Sequence, residues 1–453
     1  MRGWNFPLLI AALTVALYLP SLSGGAVFDD HHLLEYHPRL MNLTLHDAFA
    51  TDFWGGNPTP WKSMHYRPLA LLAYRAMYLL FGMDPAAFHL VNVLLNAAAA
   101  FLLWIFLEGA GFSRRVTAIA VCLFAVNPLH VEAAAWITGM METLMAALCL
   151  ASLACYGRGH RIASVLLAAA AMLEKESAFV LPGIVFLLEW RRARIEDSPK
   201  ALRRAELAAL PYVVPVIACL AARAIILPRM PEDLQARFLD GVPLMAAVGA
   251  AYLRMLVWPW PLGISYALPG AGAIALAILA VIAGAAVLLW RKSADLALAA
   301  GLIVLPLAAP VVASPLMTEW IQIQDRYTYL STAGMCLLIA LMLAKIPRAS
   351  LAVAVILIAA GAAGTWRQER VWQSSETTWR HALEITPQSQ FASVSLARDL
   401  ARDGRFDEAA QVCQQALTYH PGSEVLRSFI MRARQLETRS KRYWTAPISR
   451  TPR

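Results

Sequence analysis

Apolar stretches, most of them close to the roughly 20 residues a helix needs to cross a bilayer core, recur along this chain. No other feature constrains its fold as strongly. Within lipid a segment must satisfy its own backbone hydrogen bonds, so these stretches are expected to be helical. The expected fold is all-α and polytopic, with about eleven spans. They fall over residues 6–22, 86–107, 116–127, 138–155, 162–173, 177–190, 206–227, 274–290, 296–312, 329–343 and 351–365. Residues 66–82 are also apolar but carry Arg67, Tyr74 and Arg75 behind Pro68, which reads as an amphipathic helix at the interface. Residues 244–257 are short and interrupted by Arg254, and are read as dipping into the membrane or lying flat.

Composition agrees. Apolar residues make up 59% of the chain and charged residues 15%, against roughly a quarter charged in a soluble domain. The net charge of +9 lies mostly in short loops between spans, so it marks topology and not a nucleic-acid partner. The loop with Arg191, Arg192, Arg194, Lys200, Arg203 and Arg204 is the clearest marker, and placing it in the cytoplasm puts the N-terminus in and the C-terminus out. The first apolar segment reads as an uncleaved anchor. Cleavage at the small residues 21–26 would leave a chain starting near Phe28, and Arg2 alone precedes the apolar run. Five of the six cysteines fall inside spans, no CxxC occurs, and no disulfide framework is suggested.

From Trp366 the pattern becomes polar and helical. Ala382-Leu383 with Pro387 recurs as Ala416-Leu417 with Pro421, an offset of 34 residues, the tetratricopeptide period. The expected domains are a membrane domain over 1–365, a tetratricopeptide-like helical domain over 366–437, and a flexible tail over 438–453. About one and a half repeats are present where a free solenoid needs about three, so this piece should lean on the membrane domain or on a partner.

The topology gathers polar residues on the outer side. They are Phe28-Asp29-Asp30-His31-His32 and Glu35; Lys62-Ser63-Met64-His65-Tyr66-Arg67-Pro68; His130 and Glu132; Glu174-Lys175-Glu176; and Asp325-Arg326-Tyr327. Ionisable residues at membrane depth are costly and mark functional sites. Asp29 and Asp30 suit a general base that takes the proton of an attacking hydroxyl, and adjacent carboxylates push one pKa upward. Arg326, Lys175 and Arg67 suit a leaving phosphate. Bland readings stand beside these. The acidic pair can be a solvated helix cap, or with His31, His32 and His37 a metal site of no standard zinc spacing. Lys175 and Arg326 can be interfacial anchors that snorkel, and His130 and Glu132 ordinary loop residues.

Several segments together resemble the transmembrane and tetratricopeptide-repeat-containing O-mannosyltransferase family, of the GT-C glycosyltransferase class. They are Phe28-Asp29-Asp30; Tyr66-Arg67-Pro68-Leu69; Phe88-His89-Leu90-Val91-Asn92; Asn127-Pro128-Leu129-His130-Val131-Glu132; Lys175-Glu176; residues 252–259; and Asp325-Arg326-Tyr327-Thr328-Tyr329-Leu330. The resemblance implies a GT-C fold and inverting transfer of a sugar, mannose or another hexose, from a polyprenyl-phosphate donor to protein Ser or Thr. It implies Asp29 and Asp30 as the catalytic centre and the Arg326 segment, with Tyr327, Lys175 and Arg67, at the donor phosphate. His130, Glu132, His65, Tyr66 and Glu176 are the expected substrate contacts. The expected partners are a lipid-linked sugar, membrane lipid and a protein acceptor gripped by the repeat domain. The resemblance names no cofactor, and Asp29 and Asp30 offer a site for a divalent metal. The expected location is a bacterial inner membrane with the site and C-terminus periplasmic. Gly139-Met140 departs from the family's Gly-Arg, and Ser265 stands where Asp is common. Two alternatives are a lipid or cell-envelope polysaccharide glycosyltransferase and a non-enzymatic repeat scaffold.

Overall fold

The computed structural model describes residues 4–31, 33, 38–54, 65–227, 238, 240–267, 293–317, 323–346 and 348–445. The expected span 274–290, Arg291-Lys292, Lys62 to Met64, His32, Glu35, His37 and the end of the tail lie outside them. The described residues form helices joined by turns and loops, with no strand among them. The helices are α1 (Asn5–Tyr18), α2 (Pro68–Phe81), α3 (Pro85–Gly109), α4 (Arg114–Ala125), α5 (Met140–Gly157), α6 (Arg161–Glu174), α7 (Leu181–Ile195), α8 (Ala201–Ile226), α9 (Val242–Val257), α10 (Ala294–Ala313), α11 (Tyr329–Ala344) and α12 (Ser350–Val371). Four more follow: α13 (Ser375–Ile385), α14 (Gln390–Arg402), α15 (Phe406–Ala416) and α16 (Glu424–Thr445). Short helical turns join several of them.

Among the described residues seven segments are long and apolar enough to cross a membrane: Asn5–Ser23, Pro85–Gly109, Ile137–Gly157, Ala201–Ile226, Ala294–Leu316, Asp325–Ala344 and Ser350–Val371. The chain is therefore a multi-pass membrane protein. The expected third span is a broken one. Its helix ends at Ala125, and Pro128–Ala135 continues after a bend of 50°. Pro128 cannot donate a backbone hydrogen bond, so the ladder breaks there. The freed carbonyls are satisfied from other helices, Val126 O by the Thr365 hydroxyl at 2.8 Å and Asn127 O by the Tyr18 hydroxyl at 3.2 Å. The expected fifth and sixth spans correspond to α6 and α7, of 14 and 15 residues. At 1.5 Å per residue each is about 21–23 Å long, short of the hydrocarbon thickness. The last span does not stop at Thr365. It runs to Val371, with Gln368 and Glu369 buried. The amphipathic segment behind Pro68 is a helix, as expected, and so is 242–257.

Helices α3, α5 and α6 pack in sequence, α7 packs on α8 and α10, and α11 lies between α10 and α4. Small residues set the closest approach. A Cβ on Gly334 of α11 would stand 2.6 Å from Ile303 N and 2.7 Å from Ala299 O of α10. Without an apolar solvent difference to drive association, such close backbone packing is what joins helices in lipid. One end of the bundle is closed by arginines: Arg191 and Arg192 donate to the carbonyls of Ala110, Gly109 and Gly157, and Arg191 pairs with Asp295. At the opposite end, α13 to α16 pack each on the next. Their core of Trp379, Ala382, Leu396, Leu400, Ala409 and Cys413 is continuous with Tyr18, Val27 and Trp136 of the membrane part.

Candidate active site

The loop after α1 reaches the end of the bundle that carries α13 to α16. Asp30 is fully buried, and its carboxylate is committed to the scaffold. Oδ2 accepts from Val27 N at 2.9 Å, and Oδ1 accepts from Thr138 N at 2.8 Å and from the Thr138 hydroxyl. Asp30 N donates to Val27 O at 3.0 Å, closing the local turn, and Trp136 Nε1 donates to the same carbonyl at 2.9 Å. The opposing segment, Trp136 to Gly139, is held in its turn by Asn92, whose amide donates to Trp136 O at 2.6 Å, and by the Tyr74 hydroxyl on Ile137 O at 3.2 Å. Gly139 fits there because a Cβ would stand 2.5 Å from Ala133 O. Asp29, next in line, is half-buried. Burial raises its carboxyl to about 6, with the Arg326 guanidinium working against that shift. Burial likewise raises Asp30 to about 7, opposed by the bonds from Thr138 and Val27 and assisted by the charge of Asp29. Phe28, immediately before the pair, has φ +49°, a conformation costing an aromatic residue on the order of 1–3 kcal/mol.

Arg326 is near enough for its charge to act on Asp29. Its backbone N donates to Glu132 Oε2 at 2.9 Å, its guanidinium donates to Glu132 and Gln324, and its plane lies 4.6 Å from the Trp136 ring and 4.9 Å from the Tyr327 ring. Lys175 Nζ lies 4.8 Å from the same Tyr327 ring and pairs with Glu142. Two cations thus contact one aromatic ring, each balanced by a buried carboxylate. Burial lowers the Lys175 ammonium to about 8; Glu142 opposes the shift, while Arg67 and Arg326 add to it. Arg67 extends the cluster. It binds Glu176 at 2.9 and 3.2 Å, approaches His65 Nδ1 at 3.3 Å, and Arg223 takes the other Glu176 oxygen at 2.6 Å. Burial works to raise the Glu176 carboxyl, but Arg67, His65 and Arg223 outweigh it and hold the group well below the usual carboxylate range.

The geometry gathers Asp29, Asp30, Arg326, Tyr327, Lys175, Arg67, Glu132, Glu176 and His65 into one network of contacts and charges. It sets two expected contacts apart. His130 is buried against Phe124 and Tyr329, with Nε2 at 2.7 Å from the Thr332 hydroxyl. Tyr66 is buried with its hydroxyl donating to Phe49 O at 3.2 Å. Residues that sequence reasoning did not single out complete the site: Thr138 and Trp136 around Asp30, Glu142 on Lys175, Arg223 on Glu176, and Gln324 on Arg326. Among the described residues no three His, Cys, Asp or Glu side chains converge to hold a metal ion. The two Asp30 oxygens face N–H and O–H donors, which suits a hydrogen-bonded carboxylate better than a metal ligand. A crevice opens beside the acidic pair, lined by Phe28, His31, Trp379, Ser395, Arg398, Asp399 and Arg402. It joins the first loop to α13 and α14.

No protein-family model matches the chain. Individual proteins do. The chain is 34% identical over 178 residues to the protein O-mannosyl-transferase Tmtc1 of Drosophila melanogaster, covering 37% of this chain and 21% of that protein. It is 38% identical over 154 residues to the protein O-mannosyl-transferase TMTC2 of Homo sapiens, covering 33% and 18%. Against TMTC4 of Homo sapiens it is 30% identical over 209 residues, covering 39% and 28%. The match thus spans between 18% and 28% of the length of these relatives. The curated homologues of this chain are protein O-mannosyl-transferases of the TMTC group.

Proposed function

We propose that the chain is a membrane-embedded GT-C glycosyltransferase that moves a sugar, mannose or another hexose, from a polyprenyl phosphate to a Ser or Thr hydroxyl of a protein. The observation that carries this reading is the half-buried carboxylate of Asp29 beside Arg326, with Asp30 locked into the scaffold behind it. A carboxylate with a pKa near 6 is a competent base at neutral pH. In the proposed step the acceptor oxygen attacks the anomeric carbon from the face opposite the phosphate. The hydroxyl proton passes to Asp29, the C1–O bond to phosphate breaks, and its electron pair leaves on the phosphate oxygen. Inversion follows from that in-line displacement. Arg326 and Lys175, both against the Tyr327 ring, stabilise the charge that develops on the leaving group.

Asp30 orients the loop in this scheme. The crevice between Phe28 and α14 is the path of the acceptor chain, with α13 to α16 read as the tetratricopeptide-like piece that grips it. The site and these helices share one end of the bundle, opposite the arginine-lined end, which supports a periplasmic or lumenal site if the arginines face the cytoplasm. In purified protein in nanodiscs, with a polyprenyl-phosphate hexose and an acceptor peptide, Asp29→Asn is expected to abolish transfer while donor binding persists. Asp30→Asn is expected to lose less in the chemical step and more in loop order. Full transfer by folded Asp29→Asn protein would refute the assignment of the base. Transfer to lipid or glycan but never to peptide would refute the assignment of the acceptor.

A further inference from the structure

Phe28 occupies an unusual place. It is a bulky residue in the left-handed region, which glycine ordinarily fills, and the next residue is Asp29. Its neighbours on both sides are pinned: Val27 O by Trp136 Nε1, and Asp30 by Thr138. Rotating Phe28 to an ordinary φ would swing the chain at Asp29 and break the Asp30 N to Val27 O turn. Something must hold the ring. Trp136, from the membrane part, stands 6.5 Å from it centroid to centroid. Trp379 of α13 meets it edge-on at 5.8 Å and 88°, and Phe391 of α14 at 5.2 Å and 90°. Trp379 and Phe391 are themselves edge-on at 5.4 Å. Trp379 is fully buried and its indole N–H is satisfied by the Ser375 hydroxyl at 3.1 Å. Edge-to-face rings are directional, so this socket fixes the orientation of the Phe28 ring as well as its burial.

We propose that Phe28 is a positioning residue for catalysis, held by an aromatic socket that the C-terminal helices complete, so that Trp379 and Phe391 set the presentation of Asp29 from outside the membrane domain. The inference rests on Asp29 being the base. On this view the C-terminal helices do more than grip an acceptor: the catalytic loop is incomplete without them. A docking role alone would leave the chemical step untouched when the socket is opened.

The experiment uses the full chain in nanodiscs, with Phe28→Gly, Phe28→Tyr, Trp379→Ala and Phe391→Ala. Phe28→Gly permits the backbone turn but removes the ring, and Phe28→Tyr keeps the ring. Displacing a catalytic group by about 1 Å costs about a hundredfold in rate. Phe28→Gly and Trp379→Ala are therefore expected to lower kcat by about tenfold to a hundredfold with the acceptor KM nearly unchanged, and to move the acid limb of the pH–rate profile. Phe28→Tyr is expected to restore kcat to within about threefold of the parent, since the loss is read as a difference between variants. Independently of activity, amides of residues 24–31 are expected to exchange about tenfold faster in Phe28→Gly and Trp379→Ala, reporting local opening. Unchanged kcat and unchanged exchange in folded Phe28→Gly protein would overturn the proposal, and so would a rise in acceptor KM alone. If Trp379→Ala does not fold, Phe28→Gly and Phe391→Ala carry the same reading. If the parent protein transfers no sugar, the functional reading fails, while the exchange measurement still decides whether the socket holds the loop.

Discussion

The two groups assigned to the acid and alkaline limbs of the reaction make the pH dependence a sharp test. As the proposed base, Asp29 must be unprotonated to accept the hydroxyl proton, and burial places its carboxyl at about 6. Lowering the pH through that value removes activity, with Asp30 at about 7 spreading the limb. Lys175 must be charged to act on phosphate, and burial places it at about 8, so raising the pH through that value removes activity. The product of the two fractions peaks near pH 7 and falls about tenfold for each unit beyond either limb. Two substitutions separate the limbs. Arg326 holds Asp29 down, so Arg326→Gln should move the acid limb upward as well as slowing transfer. A guanidinium does not titrate in this range, so Lys175→Arg should erase the alkaline limb while retaining a cation. The assay is kcat/KM for transfer from a radiolabelled donor to a peptide, measured at about one-unit steps on both sides of neutrality. An acid limb at the ordinary carboxylate value of about 4 would refute the buried-base argument. An alkaline limb that survives Lys175→Arg would remove Lys175 from the phosphate site.

Other consequences follow from burial. Glu132→Ala leaves the Arg326 charge without its carboxylate in a buried place, which should cost about 3–5 kcal/mol of stability by thermal unfolding. The double variant with Arg326→Leu should lose less than the sum of the singles. Gly139→Ala puts a Cβ 2.5 Å from Ala133 O, so the Trp136 to Gly139 turn must shift. A loss of about 1–3 kcal/mol is expected, read in the same melts. Arg398 is exposed and lines the crevice beside Phe28. Arg398→Glu should raise the KM for acceptors with acidic flanks about fivefold, the worth of one exposed ion pair, with kcat preserved.

The parts of the fold that depend on local periodicity were legible in the sequence. The spans at Pro85–Gly109, Ala201–Ile226 and Ala294–Leu316 appear within a few residues of their apolar limits, because a lipid-facing helix must be apolar wherever it sits. The break at Pro128 was visible as an end, but not as a bend that continues. The continuation depends on Thr365 and Tyr18 reaching the orphaned carbonyls from helices far away in sequence. The early end assigned to the last span has the same cause. Gln368 and Glu369 look like loop residues, yet they are buried, with the Ser21 hydroxyl donating to Glu369 at 2.5 Å. His130 reads as a site residue because it shares a motif with Glu132. The turn of helix they occupy sends one side chain to Arg326 and the other into the core against Tyr329.

Of the acids that balance the site, Glu132 and Glu176 stand out in the sequence and Glu142 does not, though it bears as much on the chemistry. Glu142 lies at the start of a span and looks like a helix-end residue, but it pairs with Lys175. Arg67, Lys175, Arg223 and Arg326 face Glu132, Glu142 and Glu176 through the observed ion pairs. Glu174 is buried among them with neither oxygen hydrogen-bonded, and burial pushes its carboxyl well above the ordinary range, against the pull of Arg67 and Lys175. These four cations face Glu132, Glu142 and Glu176, and the carboxyl of Asp29 lies within the field of Arg326. On the proposed reading the donor, a polyprenyl-phosphate sugar, is a phosphodiester carrying one negative charge. On that reading the phosphate that leaves carries more negative charge than the bound diester, so Arg326 and Lys175 gain interaction as the bond breaks, the condition for lowering a barrier and not just tightening binding. The counter-ions are part of that arrangement: Glu132 and Glu142 pair with Arg326 and Lys175 and hold both cations against the Tyr327 ring.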